Sequence, residues 1–494
     1  MQKVKKLLNK FAKPDQSSIG VGVKIGLSFF ILGGVLLLGG CGCKQANPHQ
    51  YNLKLEVWGL FDNQDAFFEI IENYRRINPN ISDISYRKMS PDTYKQDLVE
   101  ALASGQGPDI FLIQNNWLPS FADKIIPAPA SIFTEQKFRN DFVDVAANDF
   151  LNQGKIYAVP LSVDTLGLYY NKDLFNEAGI TAPPKNWTEF MDVVGRLTKI
   201  NRTDNSIIRS GAAIGTSCIS GGANNNINRC TDILNLLMLQ NGTVMADPPA
   251  KRALFDQIVK NGDQSISPGE NALNFYTQFA NNNNSVYTWN PRMHYSIDAF
   301  SEGAAAMMIN YSWHIDTIAA KAPKLNFAVA PVPQLPDMPA VNYANYWGYA
   351  VAKNKTSFDA SQQVQVPIAN DIRIAEAWKY LTFLTTKPEA ALNVSTNVAG
   401  QQKTTTTNFD PAVNYLEKTR KPAARRDLIE IQKNDPKIGI FAAQNLFAKS
   451  WYQSDPETIE AIFAEMIDKV NRGAGTPADV IRAAASQVNV IMNR

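Results

Sequence analysis

The signatures of catalysis are largely missing from this 494-residue chain. It has no G-x-S-x-G, no H-E-x-x-H and no G-x-x-x-x-G-K loop, so serine-hydrolase, zinc-protease and phosphate-loop chemistries lack support. Gly105-Gln106-Gly107 begins like a dinucleotide loop, but it follows a helical pattern rather than a strand and lacks the third glycine. Histidine is scarce: three residues, at 49, 294 and 314, offer no ligand spacing for zinc. His314, beside Trp313, reads as a pocket-edge or structural residue. No metal and no cofactor is implied. Cysteine is scarce too. Of four, Cys41 and Cys43 lie near the start, leaving Cys218 and Cys230 with no C-x-x-C for redox work. Twelve positions apart in a Gly/Asn-rich stretch, these two either close a surface loop as a disulfide, worth about 3 kcal/mol in the entropic account, or remain free thiols. A basic footprint is also lacking. Seven lysines and one aspartate fall within residues 1–44, and removing them from totals of 48 basic and 46 acidic residues leaves 41 against 45. Phosphate neutralisation, which nucleic-acid binding requires, is therefore not provided for.

What is present starts at the first residues. The basic opening runs into Ile25 to Gly40, uncharged throughout, as the n- and h-regions of a secretory signal do. It ends at Leu38-Gly39-Gly40-Cys41, which resembles the lipobox of bacterial lipoproteins, where the cysteine receives the lipid. The alternative is an uncleaved N-terminal transmembrane helix with Lys24 at its edge. Either way the expectation for residues 1–45 is an anchor and tether, with the body on the extracytoplasmic side of the cell membrane.

A body of this length exceeds one ordinary core, since single cores stop growing at about 250–300 residues, so at least two lobes are expected. Leu53, Leu55 and Val57 alternate with Lys54 and Glu56 as in a strand, and Phe67, Ile70, Ile71 and Tyr74 follow with helical spacing up to Pro79. A strand through Ile81, Ile84 and Tyr86 comes next, then a helix through Tyr94, Leu98 and Leu102, then an apolar run Ile110 to Ile113. This alternation is α/β grammar with a largely parallel sheet. The pattern recurs at Leu166 to Tyr170 and in a helix opened by Asn186-Trp187-Thr188-Glu189. Residues 201–232 and 281–292 are rich in Asn, Gly and Ser and read as loops or insertions. Asp455-Pro456 and Thr476-Pro477 open two closing helices, with Gly473 and Gly475 between them.

Aromatic residues beside small polar ones are the most suggestive feature. A sugar ring has apolar C–H faces and a hydroxyl rim, so its site needs flat aromatics and Asp, Asn or Gln. The clusters are Trp58-Gly59-Leu60-Phe61-Asp62, Asn115-Asn116-Trp117, Trp289-Asn290, Tyr311-Ser312-Trp313, Tyr346-Trp347-Gly348 and Trp451-Tyr452. Each aromatic taken singly is more often core.

The chain as a whole resembles the extracellular solute-binding proteins of ABC importers, in the sugar-binding branch to which maltose-binding proteins belong. The motifs are Leu55-Glu56-Val57-Trp58-Gly59, Ala103-Ser104-Gly105-Gln106-Gly107-Pro108-Asp109-Ile110, Tyr169-Tyr170-Asn171-Lys172-Asp173-Leu174-Phe175 and Phe300-Ser301-Glu302-Gly303-Ala304-Ala305-Ala306-Met307. Trp313 and Pro331-Val332-Pro333 follow in the same order. The resemblance implies a two-lobed, periplasmic-binding-protein-like α/β fold, each lobe a largely parallel sheet flanked by helices, with several hinge crossings. The expected lobes are 46–160 with 328–386, and 161–327 with 387–494, and Pro160, Pro331 and Pro333 delimit the expected crossings. It further implies a monomer that captures a sugar without changing it and delivers it to membrane permease subunits. Trp58, Asp62, Asn116, Trp117, Asp164, Trp313, Trp347 and Trp451 fall where this family commonly touches ligand. Two alternatives stay open: the same fold binding a polyamine, peptide or other polar solute, and a tethered carbohydrate-active enzyme using carboxylates such as Asp62 and Asp164.

Overall fold

The computed structural model describes residues 51–493 apart from 202, 219–224, 263, 363–364, 390 and 399–400, and no side chain of 261, 392–405 or 407. The expected anchor, residues 1–45 with Cys41 and Cys43, lies outside the described residues, as does His49. Among the described residues no helix is long and apolar enough to cross a membrane.

Local patterns set the first elements. In β1 (Leu53–Gly59) Leu53, Leu55 and Val57 are buried while Lys54 is exposed. Helix α1 (Asp65–Ile77) buries the Phe67, Ile70, Ile71, Tyr74 stripe and stops at Asn78, whose N–H closes on the Tyr74 carbonyl. Strand β2 (Ile81–Lys88), helix α2 (Tyr94–Ala103) and strand β3 (Ile110–Gln114) complete the alternation, with β2 and β3 both parallel to β1. Asp109, ahead of β3, is buried and takes hydrogen bonds from the Glu56 N–H (2.8 Å), Lys355 (3.0 Å) and Arg373 (3.3 Å). That motif aspartate thus ties the sheet end together and serves structure.

The sheets are mixed. Trp347–Ala352 lies antiparallel to β3, and strand Gly167–Asn171 is flanked antiparallel on both sides by Met307–Asn310 and Phe327–Pro331. The expectation of largely parallel sheets therefore holds only for β1 to β3. Strands contributed by chain returning from the other lobe have no helical crossover to make them parallel.

Two hydrophobic cores result, one around β1 to β3 and one around Gly167–Asn171. Three short strands connect them side by side: Asp164–Thr165, Asn342–Asn345 and Ala448–Lys449. Two expectations shift here. The return crossing runs through Asn342–Asn345 and not through Pro331-Val332-Pro333, because Phe327–Pro331 is committed to the second-core sheet and Val332 is buried in that core. The assignment of 387–494 to the second lobe also gives way in part. Ala412, Tyr415, Leu416, Ala423, Ala424, Leu428 and Ile429 pack in the first core, where the Tyr415 ring lies 5.4 Å from Phe67. The closing helices Pro456–Asn471 and Pro477–Met492 are capped by Asp455 and Thr476, as their sequence suggests.

Candidate functional site

A cleft of about 1270 Å³ opens between the two cores. Its first wall begins where β1 ends, the usual place for a ligand on an open α/β sheet. Gly59 closes the strand because a Cβ there would come within 2.0 Å of the Tyr86 hydroxyl. The chain can then turn Phe61 outward, 49% exposed and edge-on to Trp347 at 5.8 Å. Asp62 follows. Its carboxylate accepts hydrogen bonds from Lys421 at 2.6 and 2.8 Å and from the Tyr415 hydroxyl at 2.7 Å, so its charge is met on its own wall.

The second wall is built at the end of strand Met307–Asn310. Trp313 is 43% exposed and stacks on Tyr311, with ring centroids 4.5 Å apart and planes 17° from parallel. Between them, Ser312 donates to the Asp164 carboxylate through its N–H (3.1 Å) and Oγ (2.5 Å), and the Thr165 N–H adds a third bond at 2.9 Å. Among the described residues no cation bonds Asp164. Burial therefore dominates, and it pushes this carboxyl up to about 7 despite the three donors. Asp149, behind the cleft, is pushed up to about 6 by burial, against donors from Ser450, Tyr346 and Asn115. His314, half-buried beside Trp313 and near Arg229, is pushed down to about 4 by burial first and by the guanidinium second.

Of the eight residues expected to touch ligand, Asp62, Asp164, Trp313 and Trp347 line this cleft. Asn116 and Trp451 line a smaller cavity of about 50 Å³, which shares Gln114, Arg229, Asn345 and Glu460 with the cleft. Trp451 is largely core there, its Nε1 bonded to Asn235 at 3.1 Å and its ring 5.7 Å from Phe463. Trp58 and Trp117 line neither. Trp58 lies within β1 rather than beyond its end, buried under the Arg87 guanidinium with its Nε1 bonded to Glu56. Trp117 is buried behind Trp347, edge-on at 5.1 Å, and stacks on Phe121. Trp289, from another aromatic cluster, is wholly buried. Phe61, Lys421, Tyr415, Ser312 and Arg229 line the cleft and were not among the expected contacts. Phe61 was signalled by its place beside Asp62, and Ser312 by its place beside Trp313. Lys421, Tyr415 and Arg229 carried no local signal. Cys218 and Cys230 are joined as a disulfide at the start of helix Cys230–Gln240. Among the described residues no group of three His, Cys, Asp or Glu side chains is placed to hold a metal ion.

Comparison with known proteins agrees with this geometry. The family described as bacterial extracellular solute-binding protein matches residues 62–391. The multiple sugar-binding protein of Streptococcus mutans serotype c (strain ATCC 700610 / UA159) is 26% identical over 320 residues, 63% of this chain and 69% of its own length. The maltotriose-binding protein of Pyrococcus abyssi (strain GE5 / Orsay) is 23% identical over 338 residues, 68% of this chain and 63% of its own. The crystal structure of the cyclic alpha-maltosyl-1,6-maltose binding protein from Arthrobacter globiformis superposes with a TM-score of 0.68 at 18% identity, covering 89% of this chain and 99% of that one. That likeness shows the same two-lobed fold. A family match over most of the chain, on a fold with an interlobe cleft, settles the affiliation: this chain belongs to the bacterial extracellular solute-binding proteins, a family that binds its solute and does not transform it.

Proposed function

We propose that this protein captures a sugar, most suitably an oligosaccharide, in the interlobe cleft and hands it to the permease subunits of an ABC importer. The observation that carries the reading is the pairing of exposed aromatic faces with carboxylates: Phe61 and Trp347 beside Asp62 on one wall, Trp313 beside Asp164 on the other. Flat rings cover the apolar faces of a pyranose, and carboxylates accept from its rim. The cleft volume of about 1270 Å³ exceeds the ~300–1,000 Å³ common for small-molecule sites, which favours more than one sugar unit. Relatives named for maltotriose and for multiple sugars support the same class. A polyamine would want a lining dominated by free carboxylates, whereas Asp62 is bonded to Lys421 and the cations Arg229, Arg420 and Lys437 share the cleft with its other acidic groups.

Attachment through a lipid on Cys41 at the outer face of the cytoplasmic membrane completes the proposal, since a tethered binder stays near its permease. Calorimetry of the purified protein against neutral glycans, spermidine and short peptides tests the ligand class, and binding of a glycan alone is the expected outcome. Tight binding of spermidine or a peptide without any glycan would replace the sugar reading. Mass spectrometry of the mature N terminus tests the anchor: a lipid-bearing Cys41 is expected, and retention of residues 1–40 would favour an uncleaved helix.

A further inference from the structure

Arg229 occupies a position that folding alone does not explain. It is one residue ahead of helix Cys230–Gln240, in a left-handed conformation at φ +61° and ψ +34°. A non-glycine residue adopts that conformation at a cost and persists in it only when its surroundings impose it. Here both neighbours are pinned. Asn228 receives a hydrogen bond from Asn310 (3.0 Å), donates its side-chain amide to the Tyr295 hydroxyl (2.6 Å) and its N–H to Ser296 (2.9 Å). Cys230 is buried and held by its bridge to Cys218.

The effect is to throw the Arg229 side chain into the cleft. Its guanidinium lies 5.6 Å from the centre of the Trp313 ring and 5.9 Å from that of Tyr311, so the exposed aromatic face of the second wall carries a planar cation beside it. Among the described residues the guanidinium donates no hydrogen bond, and Asp232 Oδ2 stands 3.9 Å away, already taken by the Tyr311 hydroxyl at 2.9 Å. Arg229 lines both the cleft and the smaller cavity that adjoins it. With its side chain 35% exposed, the fork faces the water of the cleft and, among the described residues, bonds no protein acceptor, so a ligand hydroxyl can take the place of that water.

We propose that Arg229 is a ligand-contacting residue of the cleft, its fork donating to neighbouring hydroxyl oxygens of a neutral saccharide stacked on Trp313, and that the pinned left-handed backbone exists to present it. Neutral chemistry follows from the surroundings. Asp232 and Glu460 line the same corner, so the guanidinium has no surplus positive charge to offer an anion. This inference rests on the sugar reading and adds to it one residue and the exclusion of acidic sugars.

The decisive variant is Arg229→Gly, because glycine accepts φ +61° without penalty. A residue kept for structure would lose stability when truncated. A residue held under strain for binding gains melting temperature or keeps it, and loses affinity by about tenfold or more as charge-assisted donors disappear. Calorimetry of wild type, Arg229→Gly and Arg229→Lys against maltose, maltotriose, maltotetraose and mannotriose, with galacturonate trimer as the anionic probe, reads both quantities alongside thermal melting. The lysine variant is expected between the other two, since it keeps the charge without the fork. Unchanged affinity in Arg229→Gly, or a fall in its melting temperature with affinity intact, overturns this inference and leaves the sugar reading standing. A wild type that takes galacturonate trimer in preference to every neutral saccharide overturns the neutral-ligand assignment. A wild type that binds no saccharide overturns the sugar reading, and this one with it.

Discussion

Asp62 and Asp164 line one cleft under opposite electrostatic conditions. Asp62 leaves the end of β1 and meets an ammonium and a phenol, Lys421 and Tyr415, both from chain more than 350 positions downstream. Asp164 sits on a crossing strand and meets only neutral donors from Ser312 and Thr165. The first carboxylate has its charge answered and its geometry locked. The second has neutral hydrogen-bond donors and only the more distant attraction of Lys421, so burial dominates and its carboxyl is pushed up to about 7. One wall is therefore a rigid platform, and the other is sensitive to pH and to any donor a ligand brings. A binding protein that must both hold and release gains from such asymmetry, since two locked walls would leave the ligand nothing to complete.

The largest expected effect lies with Asp164. Its carboxyl is raised from 3.8 to about 7, so between these values the folded chain holds a proton that the unfolded chain releases. The Asp164 contribution to stability is then greatest below pH ~4 and falls as pH rises to ~7, by on the order of 2–4 kcal/mol, levelling beyond. Asp149 adds a similar slope that ends near pH 6. Asp164→Asn should abolish the part between pH 6 and 7, read from denaturant midpoints across pH 5 to 8. An unchanged slope would make the two aspartates equivalent and dissolve the contrast.

Next is the locked side. Lys421→Met leaves Asp62 with the Tyr415 hydroxyl alone, and removing one partner of a partly buried pair should cost about 2 kcal/mol of stability. Chemical denaturation measures it, and a loss within error would show that Asp62 is not held as the distances suggest. Trp313→Ala separates binding from folding on the sensitive wall. Affinity for the bound glycan should weaken by about 1–2 kcal/mol while melting changes little, because much of that ring faces the open cleft. A melting loss without an affinity loss would reassign Trp313 to the core. The smallest effect concerns closure itself. Lys95 on α2 pairs at 2.6 Å with Glu457 on helix Pro456–Asn471 of the second core, both side chains exposed. Lys95→Ala should cost under about 1 kcal/mol of stability, fading with salt. A larger, salt-independent loss would mean the two walls are held together more firmly than the aspartates suggest.

Much of this molecule was readable before any contact was known. The α1 stripe, the alternation of β1 and the proline-headed closing helices follow from periodicity and capping, which act within a few residues, and the two-core division follows from a length beyond what one core holds. Trp313 stands in an aromatic–polar cluster at an element end, and both it and Asp164 fall where the resembling family commonly touches ligand. Trp58 and Trp117 read like cleft residues for the same reason, yet they are buried beside Arg87 and behind Trp347, a matter of which face of a strand or turn each side chain takes.

The sequence by itself determined the periods, the caps and the pairing of aromatics with small polar residues, because each of these is local chemistry, while the class of binder followed from the resemblance of its ordered motifs to a family. Tertiary structure alone decided that 411–429 belongs to the first core, that Lys421 bonds Asp62 while among the described residues no cation bonds Asp164, and that Arg229 reaches Trp313. Those outcomes depend on residues dozens to hundreds of positions apart meeting in three dimensions, and burial, which sets the Asp164 carboxyl, is a property of the packed whole and of no single segment.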